Sequence, residues 1–108
     1  MVDLAGLAVS FPFQKVLPQL ALRSKVPVVH FIHEMVERGG LMSYGPSVVD
    51  GFRRSARYVD RVAKGARPAD LPIERPSTFE LWINRGAART LGVRVPESIL
   101  LRADRVLA

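Results

Sequence analysis

Ser43, Tyr44 and Ser47 are the residues whose types and spacing best suit holding a small ligand. They lie in the stretch Gly39-Gly40-Leu41-Met42-Ser43-Tyr44-Gly45-Pro46-Ser47. The glycine pair relaxes the steric limits on the backbone. Leu41 to Tyr44 is short, apolar and bounded by glycine, as a buried strand would be. Pro46 and Ser47 stand where a helix begins, and Ser47 with Asp50 forms an S-x-x-D capping signal. A strand that turns into a helix N-terminus directs free N–H groups and a positive dipole end outward, which suits a ligand carboxylate. The plainer reading is that Tyr44 packs and Ser47 only caps; it is preferred, because capping needs no ligand to explain it.

Other chemistry-bearing residues fit less well. His30, His33 and Glu34 form H-x-x-H-E, which is not the H-E-x-x-H that sets two histidines one turn apart on a zinc-binding helix. His30 is expected to end a strand, so no metal site is assigned. Arg53, Arg54, Arg57 and Arg61 have the charge to meet phosphates. Asp50 and Asp60 interrupt them and no set of base-stacking aromatics accompanies them, so a solvated helix face is preferred and nucleic acid is not favoured as a partner. Trp82 has the face to stack on a ligand, though such a residue more often packs beneath a neighbouring helix. No catalytic constellation stands out. Cysteine is absent, no serine has a G-x-S-x-G context and no glycine-rich phosphate loop is present. The expectation is a protein that is not an enzyme and uses no cofactor.

The elements that must position these residues come from a chain of 108 residues with 48% hydrophobic content. That suits one small domain, which buries about two thirds of its unfolded surface. Sixteen basic residues against 10 acidic ones give a net charge of +6, spread along the chain with no basic block. Met1-Val2-Asp3 lacks the positive start of an export signal, and the apolar run at 4–9 is too short to span a membrane. As it stands, the chain is expected to stay in the cytoplasm.

Leu4 to Val9 reads as a first strand, ended by Ser10-Phe11-Pro12. Phe13, Val16, Leu17 and Leu20 have helical spacing, with Pro18 expected to kink that helix or move its start later. Pro27 to Phe31 reads as a second strand, and His33 to Arg38 as a short helix that Gly39 closes. Then come the strand Leu41–Tyr44 and a long helix from Ser47 to Lys64. Val48, Phe52, Ala56, Val59 and Ala63 form its apolar stripe, helped by Val49 and Val62. Gly65 ends it, and residues 67–72 read as a proline-stiffened extended connection. Thr78 to Asn84 alternates cleanly: Phe79, Leu81 and Ile83 on one side, Glu80 and Trp82 on the other. Asn84 caps a helix that Gly92 closes. Pro96 opens a last helix, whose stripe runs through Ile99, Leu100, Ala103, Val106 and Leu107. Strands alternating with helices imply an α/β fold, a partial parallel sheet with flanking helices.

A family resemblance rests on specific stretches. They are Gly39-Gly40-Leu41-Met42-Ser43-Tyr44-Gly45-Pro46, Arg53-Arg54, Tyr58-Val59-Asp60-Arg61, the run from Lys64 to Glu74, Phe79-Glu80-Leu81-Trp82-Ile83-Asn84 and Ala103-Asp104-Arg105-Val106. In this order they resemble the ABC transporter substrate-binding proteins of the tryptophan/tyrosine-uptake type, which have a type I periplasmic-binding-protein fold. Leu7-Ala8-Val9 with Phe11-Pro12-Phe13 looks like a strand and turn of their second lobe. The resemblance implies the C-terminal third of such a protein: a single incomplete α/β domain over 1–108. Residues 1–45 would give strand/helix units of the second lobe, 46–67 a long crossover helix, and 78–108 a strand and C-terminal helices. It implies capture of a small, amino-acid-like solute for an ABC permease by hinge closure, in the periplasm or at the membrane. Ser43, Tyr44 and Ser47 would lie at one edge of the cleft or hinge, and apolar faces left uncovered would promote self-association. The alternative is a small basic α/β interaction module binding nucleic acid or a protein partner.

Overall fold

The protein is described by a computed structural model, which describes residue 2 and residues 11–108. The predicted strand Leu4–Val9 lies outside the described residues. Among those described, four strands form one sheet in the order β1-β2-β3-β4: β1 Val29–His30, β2 Met42–Pro46, β3 Phe79–Asn84 and β4 Arg105–Leu107. Val2 makes an isolated parallel bridge to Val29. The helices are α1 Leu17–Arg23, α2 Glu34–Glu37, α3 Val48–Ala63, α4 Arg85–Leu91 and α5 Glu97–Arg102.

The outer strand pairs are parallel, as the alternation of strands and helices implied. His30 stands opposite Ser43, and Trp82 opposite Arg105. The middle pair runs the other way, so the sheet is mixed. Asn84 N–H donates to Leu41 O at 2.8 Å and Ser47 N–H to Thr78 O at 3.1 Å. The partner number falls as β2 advances, which is the signature of an antiparallel ladder.

The chain divides into two compact units. One comprises residues 1–45 and 80–108, the other residues 46–79. The chain leaves the first unit after Gly45 and returns to it at Glu80.

The first unit holds the core. Val28, Ile32, Met35, Val36, Leu41 and Ile83 are buried, with Ala87 and Ala88 of α4 beside them. Fully burying an aliphatic side chain of this size is worth about 1.5–3 kcal/mol, which makes these residues the main stabilising element of the unit. Pro18 occupies the first turn of α1, where its missing N–H is no loss, so it moves the helix start to Leu17 instead of kinking it. Gly39 follows α2 with φ 102° and donates to Val36 O at 3.1 Å, a glycine stop in the left-handed region. Asn84 Oδ1 accepts from Ala87 N–H at 3.0 Å and caps α4, which ends at the left-handed Gly92.

The helical stripe read through Val106 and Leu107 is corrected by the structure. α5 stops at Arg102, and Arg105–Leu107 form strand β4. Asp104 causes the change of state. Its N–H donates to Leu81 O at 2.8 Å, and its carboxylate accepts the Leu81 N–H at 2.7 Å. The two bonds tie the chain to β3 and start the parallel ladder. Ile99, Leu100, Val106 and Leu107 fit either period over so short a run.

The second unit is α3 and its return segment. Ser47 caps the helix by accepting from Asp50 N–H at 3.2 Å, as the sequence signal implied. Residues 67–72 contain a 3-10 turn, Pro68–Asp70, braced by Arg67 to Asp70 at 2.9 Å. Arg54 ties the return segment to the helix: it bonds to Asp50 at 2.9 Å, to the Arg75 carbonyl at 3.2 Å and to the Ser77 hydroxyl. The Tyr58 hydroxyl donates to Pro72 O at 2.6 Å. No side chain of this unit is buried.

Candidate functional site

The three residues singled out in the sequence fall in different places. Ser43 and Tyr44 sit on β2 in the first unit, while Ser47 heads α3 in the second. Ser43 is 1% exposed, and its Oγ has no hydrogen-bond partner among the described residues. Tyr44, one step on, points to the opposite side of the strand and is 58% exposed. That exposure corrects the expectation of a strand buried from Leu41 to Tyr44, in which Tyr44 packs. Ser47 Oγ is occupied by the Asp50 amide.

The first unit carries a polar cluster on the side of the sheet that bears Trp82. His33 stacks on the Trp82 ring at 4.4 Å between centroids and 22° between planes. The Arg105 guanidinium lies 5.4 Å from the same ring. His33 Nδ1 is 3.5 Å from Glu80 Oε2, and its Nε2 is 3.7 Å from Glu34 Oε1. Trp82 is therefore engaged by a histidine and an arginine of its own unit. The sequence singled out Trp82 and His33 separately; their pairing needs the fold, because 49 positions separate them only in the chain. Among the described residues no three His, Cys, Asp or Glu side chains converge to hold a metal ion.

The second unit has an open groove of about 410 Å³ along α3, lined by Ser47, Phe52, Arg54, Tyr58, Glu74 and Pro76, among others. Of these only Ser47 and Arg54 were weighed in the sequence as ligand-contacting residues. Glu74 and Pro76 come from the return segment, whose path no periodicity encodes. Arg54 is not open to a ligand phosphate: Asp50, the Arg75 carbonyl and Ser77 occupy it, with Glu74 3.9 Å away. Lys64 pairs with Asp60 at 3.0 Å. No helix among the described residues is long and apolar enough to cross a membrane.

The ABC transporter substrate binding protein family matches residues 8–107, and the chain belongs to that family. No curated protein sequence matches it. Among solved structures, it is similar to a conserved domain protein from Vibrio cholerae O1 biovar El Tor, with 29% identity and a TM-score of 0.84, covering 90% of this chain and 33% of that one. It is also similar to the ABC domain from Streptococcus pneumoniae solved in complex with L-Trp, with 35% identity and a TM-score of 0.77, covering 94% of this chain and 34% of that one. A ligand-free, open substrate binding protein with adhesive properties from Clostridium difficile shares the fold at 17% identity and a TM-score of 0.60, covering 94% of this chain and 34% of that one. The chain spans about a third of the length of these proteins.

Proposed function

We propose that this chain supplies part of a non-covalent binding site for a small, amino-acid-like solute, in a protein that passes the solute to an ABC permease for import. One observation carries the reading: membership of the substrate-binding family together with 35% identity, over 94% of the chain, to a protein solved with L-Trp. The role is binding, not catalysis. Residues 1–108 act as a single incomplete α/β domain of the family fold, and capture for import puts the binding event on the outer side of the cytoplasmic membrane.

In this reading Tyr44 offers its ring to the solute, supported by its exposure in the middle of β2. Ser47 and the first N–H groups of α3 receive a carboxylate. Capture would proceed by hinge closure around the solute. Taken alone, the chain self-associates through its exposed apolar residues, Phe13, Leu20, Phe52 and Leu101 among them. The basic interaction module has less support, since Arg54 and Lys64 are held by acidic partners.

The test is a hybrid in which residues 1–108 replace the matched third of the streptococcal protein. Equilibrium dialysis against each amino acid should give saturable binding of at least one, weakened about tenfold or more by Tyr44→Ala, the loss expected from removing one well-packed aromatic contact. A folded hybrid that binds none of them would contradict the proposal.

A further inference from the structure

The long helix α3 carries three arginines that no acidic group answers. Arg53, Arg57 and Arg61 are exposed and stand one turn apart, with about 6 Å of helix rise between neighbours. Their guanidinium groups have no hydrogen-bond or ion-pair partner among the described residues. The two aspartates that interrupt the run in the sequence are engaged elsewhere: Asp50 pairs with Arg54 at 2.9 Å, and Asp60 with Lys64 at 3.0 Å. Glu74 borders the line beside Arg57 and Arg61, and its carboxylate lies 3.9 Å from Arg54. Arg53–Arg57 and Arg57–Arg61 are like-charge pairs at i,i+4, which work against the helix that bears them. At roughly 100° per residue, Phe52 and Val59 lie about 140° and 160° around the helix from Arg57, so the charged line and the apolar stripe face opposite ways.

We propose that the line Arg53, Arg57, Arg61 docks the protein on the anionic headgroups of a phospholipid membrane. A bilayer surface asks only for charge, because its phosphates move laterally to meet guanidinium groups where they stand. Three side chains in a row have no apolar centre to bury against an acidic protein. They also lack an aromatic platform for bases: Tyr58 is half-buried and tied to Pro72 O at 2.6 Å, and Phe52 faces away. Contact through this line keeps Phe52 and Val59 off the bilayer. The docking is therefore electrostatic, reversible and salt-sensitive, with each arginine contributing about fivefold in partition. Solute capture outside the cytoplasmic membrane brings a lipid surface within reach, and the proposal rests on that reading for location alone.

Flotation of the 108-residue chain with lipid vesicles tests it, since self-associated chain sinks and only vesicle-bound chain rises. No solute is present, so solute capture and membrane docking fail separately. With vesicles of one part phosphatidylglycerol to two parts phosphatidylcholine, the chain should float at ~50 mM salt and lose about tenfold or more in partition at ~500 mM. It should not float with phosphatidylcholine alone. Arg53→Gln, Arg57→Gln and Arg61→Gln combined should lower partition about tenfold or more, and Arg→Lys at the same three positions should keep it, because headgroup attraction needs charge and not a fork. Lys15→Gln, Arg85→Gln and Arg94→Gln combined remove equal charge at exposed positions outside α3 and should cost about threefold or less. Phe52→Gln should change nothing. Flotation with neither vesicle or equally with both, equal losses in the two glutamine triples, or loss in the lysine triple would overturn the proposal. So would dependence on Phe52, or displacement from the vesicles by single-stranded DNA or poly-glutamate at equal charge.

Discussion

Gly45 lies so close to Phe31 that a Cβ on the glycine would stand 1.9 Å from the Phe31 carbonyl oxygen. The obstacle is backbone, which cannot rotate aside as a side chain can. The pleat of β2 beside the chain leaving β1 therefore depends on a missing side chain. Gly45→Ala should destabilise the first unit by about 2 kcal/mol or more, the range for forcing atoms into a packed region. Urea denaturation of the hybrid, with the parent hybrid beside it, measures this. A change under about 0.5 kcal/mol would mean that the strand shifts freely.

The Asp104–Leu81 pair makes a second prediction. Asp104→Ala removes the acceptor for the Leu81 amide at 2.7 Å and leaves β4 anchored by backbone alone. A loss of about 1–2 kcal/mol is expected, as for a charged acceptor of a backbone N–H. Hydrogen exchange at Leu81 and Ile83 should quicken while α1 is unaffected. Uniform quickening would point to a global effect instead.

Arg54 is the tie of the second unit. Arg54→Ala should free the return segment at 74–78 and raise its cleavage rate in limited proteolysis several-fold, with a stability change of about 1 kcal/mol or less because the site is partly solvated. Arg54→Lys should restore little, since a point charge cannot serve Asp50, the Arg75 carbonyl and Ser77 together.

These residues also mark how far the sequence could be read. Helix caps are local, so Ser47 with Asp50 and Asn84 with Gly92 were legible at the right positions. The α/β class and the apolar stripe of α3 were equally plain, because both are short-period patterns. Three features depend on distant partners and were not legible. β4 looked helical until Asp104 found Leu81. The antiparallel run of β2 against β3 has no periodic sign. The His33–Trp82 stack joins residues that only the sheet brings together. At the candidate site, Ser43 and Tyr44 were picked out as a pair, yet strand alternation buries one and exposes the other.

Alone in solution, the 108-residue chain should show a weight-average mass that rises with concentration and has no plateau at dimer. Its thermal unfolding should be broad. Phe52→Glu should reduce the association only in part, because Phe13, Leu20 and Leu101 are exposed as well. Sedimentation equilibrium over a hundredfold concentration range checks this. A monomer with a sharp, reversible transition would contradict it.

Solute capture by this chain is proposed to require the completed family fold. Paired calorimetric titrations of L-tryptophan and L-tyrosine, into the isolated chain and into the hybrid, test it most directly. Saturable heat from the hybrid with none from the isolated chain is the predicted result. Micromolar binding by the isolated chain, or none by a folded hybrid, would contradict it.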